Sequence, residues 1–444
     1  AKVCGGYERL EGGRAREALA LLTGCPCEDL RFNDGDGDES SPSHAEDLVW
    51  AKLLSAREAG FIVCACTKTA LVTPDLAPHH AYSVTDVLEL YDPPPPLGSG
   101  ARHRLVRLAN PHGQGSRFVW RGKWSASDTA SWRPETRAIV AARSSSLSSL
   151  NSSSSFFLAL EDVRRHFDVL TVCEYRPDWA DAREPFRLSN TGFQVTTATP
   201  NVTAEATFEV AKPLARAAAS SSSVVDAGLL VVSSLGQNTA VAGACVDNPV
   251  ARCHVEGSCL CIPFSFSDDE GEATFVARTS VPVLLRRVVA VDPALKRRAL
   301  LAYVLKEGSV ALDMGASVSL YHKSDEAACF VVAENRDAWR TLRVETTVHN
   351  PAGVAVSRWH GPGVVSSEVP PGHVALVTVV SARSTRFSYQ LQHQGSLFRR
   401  LPHFFPGSRV SREDDGCFDP PLRRGRDDLH SPIPWRDLPR RREK

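Results

Sequence analysis

The 444-residue sequence predicts an α+β region followed by an all-β region, and three observations carry that reading. Residues up to about 180 mix amphipathic helix signals with short apolar strand runs. From Phe186 to Gly395 short alternating runs separated by turn residues dominate, the signature of β-sandwiches. Beyond His403 the chain is rich in Arg, Asp and Pro and poor in large apolar residues, which predicts a disordered tail.

In the first region, Arg14 to Leu22 reads as a short helix closing near Gly24. A second helix starts at Ser43, where Glu46 completes a capping box, and runs to a stop at Gly60. Phe61 to Cys66 then reads as a buried strand. His80–Leu90 and His103–Asn110 read as a β-hairpin whose long connection holds Asp92-Pro93-Pro94-Pro95-Pro96, because prolines cannot donate to a ladder. Ser144 to Ser155 is nearly all serine and reads as a flexible insertion, and Phe156 to Phe167 as a short helix.

In the second region the runs Phe193–Thr199, Leu229–Leu235, Leu260–Phe266, Thr274–Ala277 and Val283–Val291 read as strands. Alternation is cleanest in Leu342, Val344, Thr346 and Val348, and recurs in Phe387, Tyr389 and Leu391. The stretch is long enough for two sandwiches, with a boundary near Asp292-Pro293. The expected domains are therefore 1–180, 183–292 and 293–400, with a tail over 401–444.

Composition excludes some functions. Lys plus Arg and Asp plus Glu are 51 each, so no global field draws the chain to nucleic acid or an anionic membrane. No apolar run approaches the roughly 18 residues of a membrane span. The chain opens on Ala1-Lys2-Val3-Cys4, with neither an initiator Met nor a secretory signal, and Met314 is its only methionine; a chain lacking an upstream part is the expectation. Without a secretory context the 12 cysteines are expected as thiols, and the Asn-x-Ser/Thr matches at Asn151 and Asn201 carry little weight.

Several candidate metal sites can be weighed by spacing. Cys25-Pro26-Cys27 and Cys64-Ala65-Cys66 are too tight for a zinc knuckle. Cys253-His254 with Cys259-Leu260-Cys261 has the right ligand types without a recognisable zinc spacing, leaving metal binding and buried strand cysteines both open. Asp34-Gly35-Asp36-Gly37-Asp38 fails as an EF-hand, with Glu39 where Gly is required and Ala45 where the bidentate Glu should be. Asp268-Asp269-Glu270-Gly271-Glu272 reads as an acidic loop.

The hairpin points to chemistry. In an antiparallel pair the start of one strand lies beside the end of the next, so His80 and Asn110 come to one edge of the sheet. An imidazole oriented by an amide carbonyl is two parts of a nucleophilic-catalysis constellation. A His and an Asn at strand ends are also common structural residues, and the hairpin alone leaves both readings open.

The residues around this pair resemble a family. His80-Ala81-Tyr82-Ser83-Val84-Thr85-Asp86-Val87, Leu105-Val106-Arg107-Leu108-Ala109-Asn110-Pro111 and Trp120-x-Gly122-x-Trp124-Ser125 are similar to the His and Asn motifs of the calpain cysteine proteases. Ala1-Lys2-Val3-x-Gly5-Gly6-Tyr7-Glu8, Gly12-Gly13 and Leu22-Thr23-Gly24 resemble the segment upstream, and Val163 to Cys173 the end of the core. The blocks are collinear across roughly the first 180 residues.

The resemblance implies the second, His/Asn lobe of a papain-like protease core, followed by one or two C2-like β-sandwich domains. It implies His80 as general base and Asn110 as its orienter in a cytoplasmic endopeptidase acting on protein substrates. No Cys here lies in a setting like the family's nucleophile, which precedes the matching region; the upstream lobe is thus an expected partner and this chain alone is expected to be inactive. The competing reading is a non-catalytic scaffold that binds partners through its sandwiches.

The sequence departs from the family in three places. His112 replaces the Trp that would shield the Asn–His hydrogen bond. Gly113 to Trp120 contains no acid and Ala126 replaces an Asp, so calcium, the cofactor the resemblance allows, lacks its conventional ligands in this lobe. Serines replace an Asp-Gly approach to Phe156-Phe157. The Ala51-Lys52-Leu53-Leu54-Ser55 helix, Val331 to Arg336 and Pro370-Pro371-Gly372-His373, with no EF-hand following, resemble the small-optic-lobes type of calpain. That type carries zinc fingers before the core and a distinctive homology domain after it.

Overall fold

The computed structural model describes residues 7, 12–32, 44–70, 73–92, 101–113, 118–143, 155–188, 191–199, 202–212, 227–233, 238–244, 248–264, 271–315, 317–324, 328–358, 363–382, 387–399, 418–419 and 429–438. The chain divides into two compact units, Tyr7–Pro177 and Asp178–Lys444, the latter grouped with Ala1–Gly6. The expected Ser43 cap, the proline connection, the serine stretch to Ser154 and the acidic loops at 34–39 and 268–270 lie outside the described residues.

The first unit runs α1 (Ala15–Thr23), β1 (Cys27–Leu30), α2 (His44–Glu58), β2 (Ile62–Thr67), β3 (Ala81–Asp92), β4 (Ala101–Ala109), α3 (Pro134–Arg143), β5 (Ser155–Ala159), α4 (Leu160–His166) and β6 (Phe167–Cys173). Its strands form one six-stranded sheet in the order β1-β6-β2-β3-β4-β5, with every neighbouring pair antiparallel. Gly24 closes α1 in the left-handed conformation, where the missing Cβ removes the steric penalty.

Helix α2 buries Val49, Trp50, Leu53 and Ala56, spaced to form one face, against Val63, Ala65, Tyr82, Val106 and Leu158 of the sheet. Trp50 Nε1 donates to Glu89 Oε1 at 2.6 Å, tying the helix to β3. A second core joins Leu88, Leu90, Leu105, Phe157 and Ala159 to Trp124, Trp132 and Val140. Alternation between these two cores explains why Phe156–Ala159 is a strand rather than the expected helix. Phe156 and Leu158 enter the first core, while Phe157 and Ala159 enter the second.

The second unit begins with β7 (Ala180–Arg187), β8 (Thr191–Thr197), β9 (Thr203–Ala211), β10 (Ala227–Ser233), β11 (Asn238–Ala244), β12 (Val250–Glu256), β13 (Ser258–Phe264), β14 (Glu272–Thr279) and β15 (Val283–Val289). Sheets β12-β9-β14-β7 and β11-β10-β13-β8-β15 pack face to face around Phe193, Phe208, Leu229, Val231 and Phe275.

Then come α5 (Pro293–Glu307), β16 (Ser309–Asp313), β17 (Val318–Ser324), β18 (Ala328–Asn335), β19 (Thr341–Ala352), β20 (Val354–Val356), β21 (Val364–Val369), β22 (His373–Ala382), β23 (Ser388–Phe398), β24 (Phe418–Asp419) and β25 (Ile433–Pro434). Sheets β16-β17-β18-β22-β20 and β23-β19-β21-β24 form a second sandwich around Leu320, Val331, Val344, Val365 and Val377.

Helix α5 differs from the all-β expectation. Asp292 caps it by accepting from Ala294 N at 2.9 Å, and Pro293 stands in its first turn. It buries Leu300, Leu301 and Val304 between the outer faces of the two sandwiches, against Leu230, Ile262 and Phe264 on one side and Phe330, Val332 and Leu376 on the other. Strands β10 and β18 are therefore covered on both faces, and both read as continuous apolar runs. Within the expected disordered tail, β25 pairs with β22 and buries Ile433 in the α5 core; His430 is also buried and bonds Leu376 O at 2.8 Å.

One polar bridge interrupts the second sandwich. His393 stands in the inward row of β23 with Tyr389, Leu391 and Leu397, and its Nε2 lies 2.5 Å from His322 Nε2 on the opposite sheet. Its Nδ1 lies 3.0 Å from Thr346 Oγ1. Burial, then the neighbouring His322, pushes the His393 pKa down to about 4. The unfolded chain, with a histidine pKa near 6.5, takes that proton more readily. Stability of the second unit should be full above about pH 6.5 and should fall as the pH is lowered toward about 4. Urea denaturation across that range checks this, and His393→Leu should flatten the decline.

Candidate active site

The site forms where β2 ends and β3 begins. Thr67, the last residue of β2, is buried and donates its N–H to His80 O at 2.9 Å, while its Oγ1 accepts from His80 N at 2.9 Å and donates to Ala77 O at 2.7 Å. His79 takes a φ of +50°, reversing the chain immediately before the strand. The hydroxyl of the fully buried Tyr82 accepts from Ala77 N at 3.0 Å, and its ring meets the His80 ring edge-on at 5.0 Å. Sequence reasoning assigned no role to Thr67, because a threonine ending a strand carries no distinguishing signal.

Asn110 follows the last residue of β4 and is 4% exposed. The pairing of Ser83 with Ala109 brings it beside His80, as the hairpin predicts. Asn110 Oδ1 lies 3.2 Å from His80 Nε2 and accepts from His112 N at 3.1 Å. That second bond is an Asx-turn, closed by Gly113 N donating to Asn110 O at 3.0 Å with Gly113 at a φ of +70°. A backbone N–H can bond only the amide oxygen, so the atom facing the imidazole is an acceptor. Nε2 must then carry the proton, and Nδ1 is the basic nitrogen. The exposed ring of His112 stacks parallel on His80 with centroids 4.6 Å apart and planes 7° from each other.

The Trp-x-Gly-x-Trp motif forms an adjoining loop. Trp120 Nε1 donates to Lys123 O at 2.9 Å, and Gly122 lies under the indole, where a Cβ would stand 2.3 Å from Trp120 Cζ2. Arg121 N donates to Asp75 Oδ2 at 3.0 Å, tying this loop to the segment that leads into His80. Trp124 N donates to Asp128 Oδ2 at 2.8 Å, and Asp128 Oδ1 accepts from Ala130 N and Ser131 N at 3.1 Å each. Burial works to raise the Asp128 pKa, but these hydrogen bonds win and hold it below the usual carboxylate range.

Among the described residues no group of three or more His, Cys, Asp or Glu side chains is placed to hold a metal ion. Strand alternation separates the Cys253, His254, Cys259, Cys261 set. Cys253, Cys259 and Cys261 face the first sandwich core, whereas His254 is exposed on the other side of β12. Burial, and then neighbouring Cys259, pushes the Cys253 thiol up to about 12, as expected for an inert buried cysteine. In the first unit Cys64 and Cys66 alternate with Val63, Ala65 and Thr67 and face the side of the sheet away from Tyr82. No described cysteine is therefore directed at His80.

Comparison with known proteins matches residues 1–174 to the calpain family cysteine protease model and residues 303–397 to the Calpain-D-like, C-terminal domain. Human calpain-9 is 29% identical over 182 residues, which is 40% of this chain and 24% of that protein. The mouse calpain-2 catalytic subunit is 30% identical over 184 residues, 40% of this chain and 23% of that protein. The Arabidopsis thaliana calpain-type cysteine protease DEK1 is 27% identical over 181 residues, 7% of its length. The chain thus spans about a quarter of the first relatives it matches. It carries a match to the calpain protease domain followed by a β-rich region with a calpain-like C-terminal domain.

Gly122→Ala should expel the Trp120 indole from its place and cost about 1–3 kcal/mol, as overpacking does. Equilibrium denaturation, together with the shift of tryptophan fluorescence toward that of an exposed indole, measures it.

Proposed function

We propose that the chain supplies the base and orienter of a calpain-type cysteine endopeptidase, with the nucleophilic thiol contributed from outside these 444 residues by the other lobe of the protease. The observation that carries the reading is the 3.2 Å contact of His80 Nε2 with Asn110 Oδ1, an oxygen already identified by its bond to His112 N. With Nε2 held by the amide, Nδ1 is the nitrogen that takes the proton of the thiol, giving a thiolate–imidazolium pair.

The thiolate then adds to the scissile carbonyl of a protein substrate. Nδ1–H of His80 returns its proton to the departing amine, leaving an acyl thioester on the enzyme. A water molecule gives a proton to Nδ1 and attacks the thioester, releasing the acid and restoring the thiol. Asn110 keeps the ring in one orientation throughout, so the same nitrogen serves as base and then as acid.

We assign the protein to the small-optic-lobes type of calpain, supported by the Calpain-D-like match over 303–397. We also place it in the cytoplasm. The described cysteines are thiols rather than disulfides, which fits a reducing compartment. No described helix is long and apolar enough to cross a membrane. The alternative is a non-catalytic scaffold acting through its sandwiches, and one experiment separates the two. In a longer chain that includes the upstream lobe, a Cys-directed irreversible protease inhibitor should label a single cysteine. His80→Ala should slow that labelling by about 10²–10⁴-fold. Labelling that is absent, or indifferent to His80, would favour the scaffold.

His112 takes the place where the family has Trp, and it already stacks on the base. A larger indole there would exclude more water from the His80–Asn110 bond, and a lower local dielectric strengthens such a bond. His112→Trp in the longer chain should raise turnover of a peptide substrate; unchanged or lower turnover would count against shielding.

A further inference from the structure

Five cysteines gather on the face of the first unit's sheet opposite His80, four on its strands and Cys25 just ahead of β1. Cys25, Cys27 and Cys173 form a buried cluster of their own beneath Leu19 and Ala20 of α1. Cys64 and Cys66 follow on β2, next to β6. Two of the five stand in a special relation. Cys27 of β1 and Cys173 of β6 are directly opposed in register, and Glu174 N donates to Pro26 O at 3.0 Å. A bond from the residue after one partner to the residue before the other identifies a non-hydrogen-bonded antiparallel pair. In such pairs the Cα atoms are about 4.5 Å apart and the side chains closest. That separation falls within the range a disulfide can span.

The two thiols now bond elsewhere: Cys27 Sγ donates to Cys25 O at 3.6 Å, and Cys173 Sγ lies 3.3 Å from Thr23 Oγ1.

The cover over the cluster is weakly held. Helix α1 has 9 residues and buries none of them, has no side-chain cap at its start, and leaves Leu22 82% exposed. A helix this short draws its stability from packing, and this one has little. Local opening of α1 is therefore an inexpensive route for a small oxidant to reach the thiols.

We infer that Cys27 and Cys173 are a redox modification site, a cross-strand dithiol that a peroxide converts to a disulfide joining β1 to β6. In that step the two thiols lose two protons and two electrons, one S–S bond forms, and hydrogen peroxide is reduced to two waters. The bond closes the chain from residue 27 to residue 173, constraining the unfolded state of nearly the whole first unit. The site lies on the opposite face from His80, so it is independent of the catalytic reading.

Peptide mapping of the full chain after hydrogen peroxide, without reduction, tests this directly. The peptide containing Cys27 should be linked to the one containing Cys173, with a mass two hydrogens below their sum, and dithiothreitol should release it. The oxidised protein should melt several degrees higher. Cys27→Ser should abolish both changes and Cys64→Ser neither, while Leu19→Ala, which loosens the α1 cover and leaves every thiol in place, should speed cross-linking several-fold. A different pairing, or oxidation of Cys27 and Cys173 without a link between them, would overturn the inference.

Discussion

The hydrogen bond between His80 and Asn110 depends on much of the first unit, because each residue is held by its own local device. The His80 backbone is fastened to the end of β2 by the double bond with Thr67, and its ring rests on Tyr82. Asn110 is held by the turn it closes with His112 and Gly113. The β3–β4 ladder sets the distance between these anchors, and burial of Tyr82, Val106 and Leu108 holds the ladder in register. A one-residue slip of either strand would send one of the two side chains to the opposite face of the sheet. The geometry of the pair is thus a consequence of core packing, while its chemistry is carried by the partly exposed His80 ring at the sheet edge.

The same sheet separates two kinds of chemistry. Side chains alternate across a strand, so the row that continues Val63, Ala65 and Thr67 leads to His80, and the row between them holds Cys64 and Cys66. Four strand thiols, with Cys25 just ahead of β1, and the imidazole just ahead of β3 therefore coexist on one sheet without meeting. The second unit solves a different problem. Two sandwiches each bury an inner core, and α5 fills the space between their outer faces, so that β10 and β18 meet apolar partners on both sides.

Much of this was legible in the sequence where a local rule coincides with the tertiary environment. The hairpin, α1 with its Gly24 stop, and the alternating β19 were readable because period and turn residues agree with burial. The pairing of His80 with Asn110 followed from strand ends alone. Three elements were misread or missed for physical reasons. Phe156–Ala159 is uniformly apolar, and only the presence of a core on each side makes it a strand. Helix α5 begins with a legible Asp292-Pro293 cap, but its apolar residues face two sheets at once and blur the helical period. Residues 429–438 are a short apolar island in a charged, proline-rich tail, and they are ordered by pairing with β22, a partner more than fifty residues away. Thr67 was invisible, since its role depends on two carbonyls and an amide supplied by the turn.

The most direct test of the central claim is the protonation of the His80 ring in the chain as it stands. Nitrogen-15 NMR of the imidazole distinguishes which nitrogen carries the proton. The ring should be in the Nε2–H tautomer, held by Asn110 Oδ1, and should become a mixed population once Asn110→Ala removes the acceptor. A ring found in the Nδ1–H form, or one indifferent to that substitution, would contradict it.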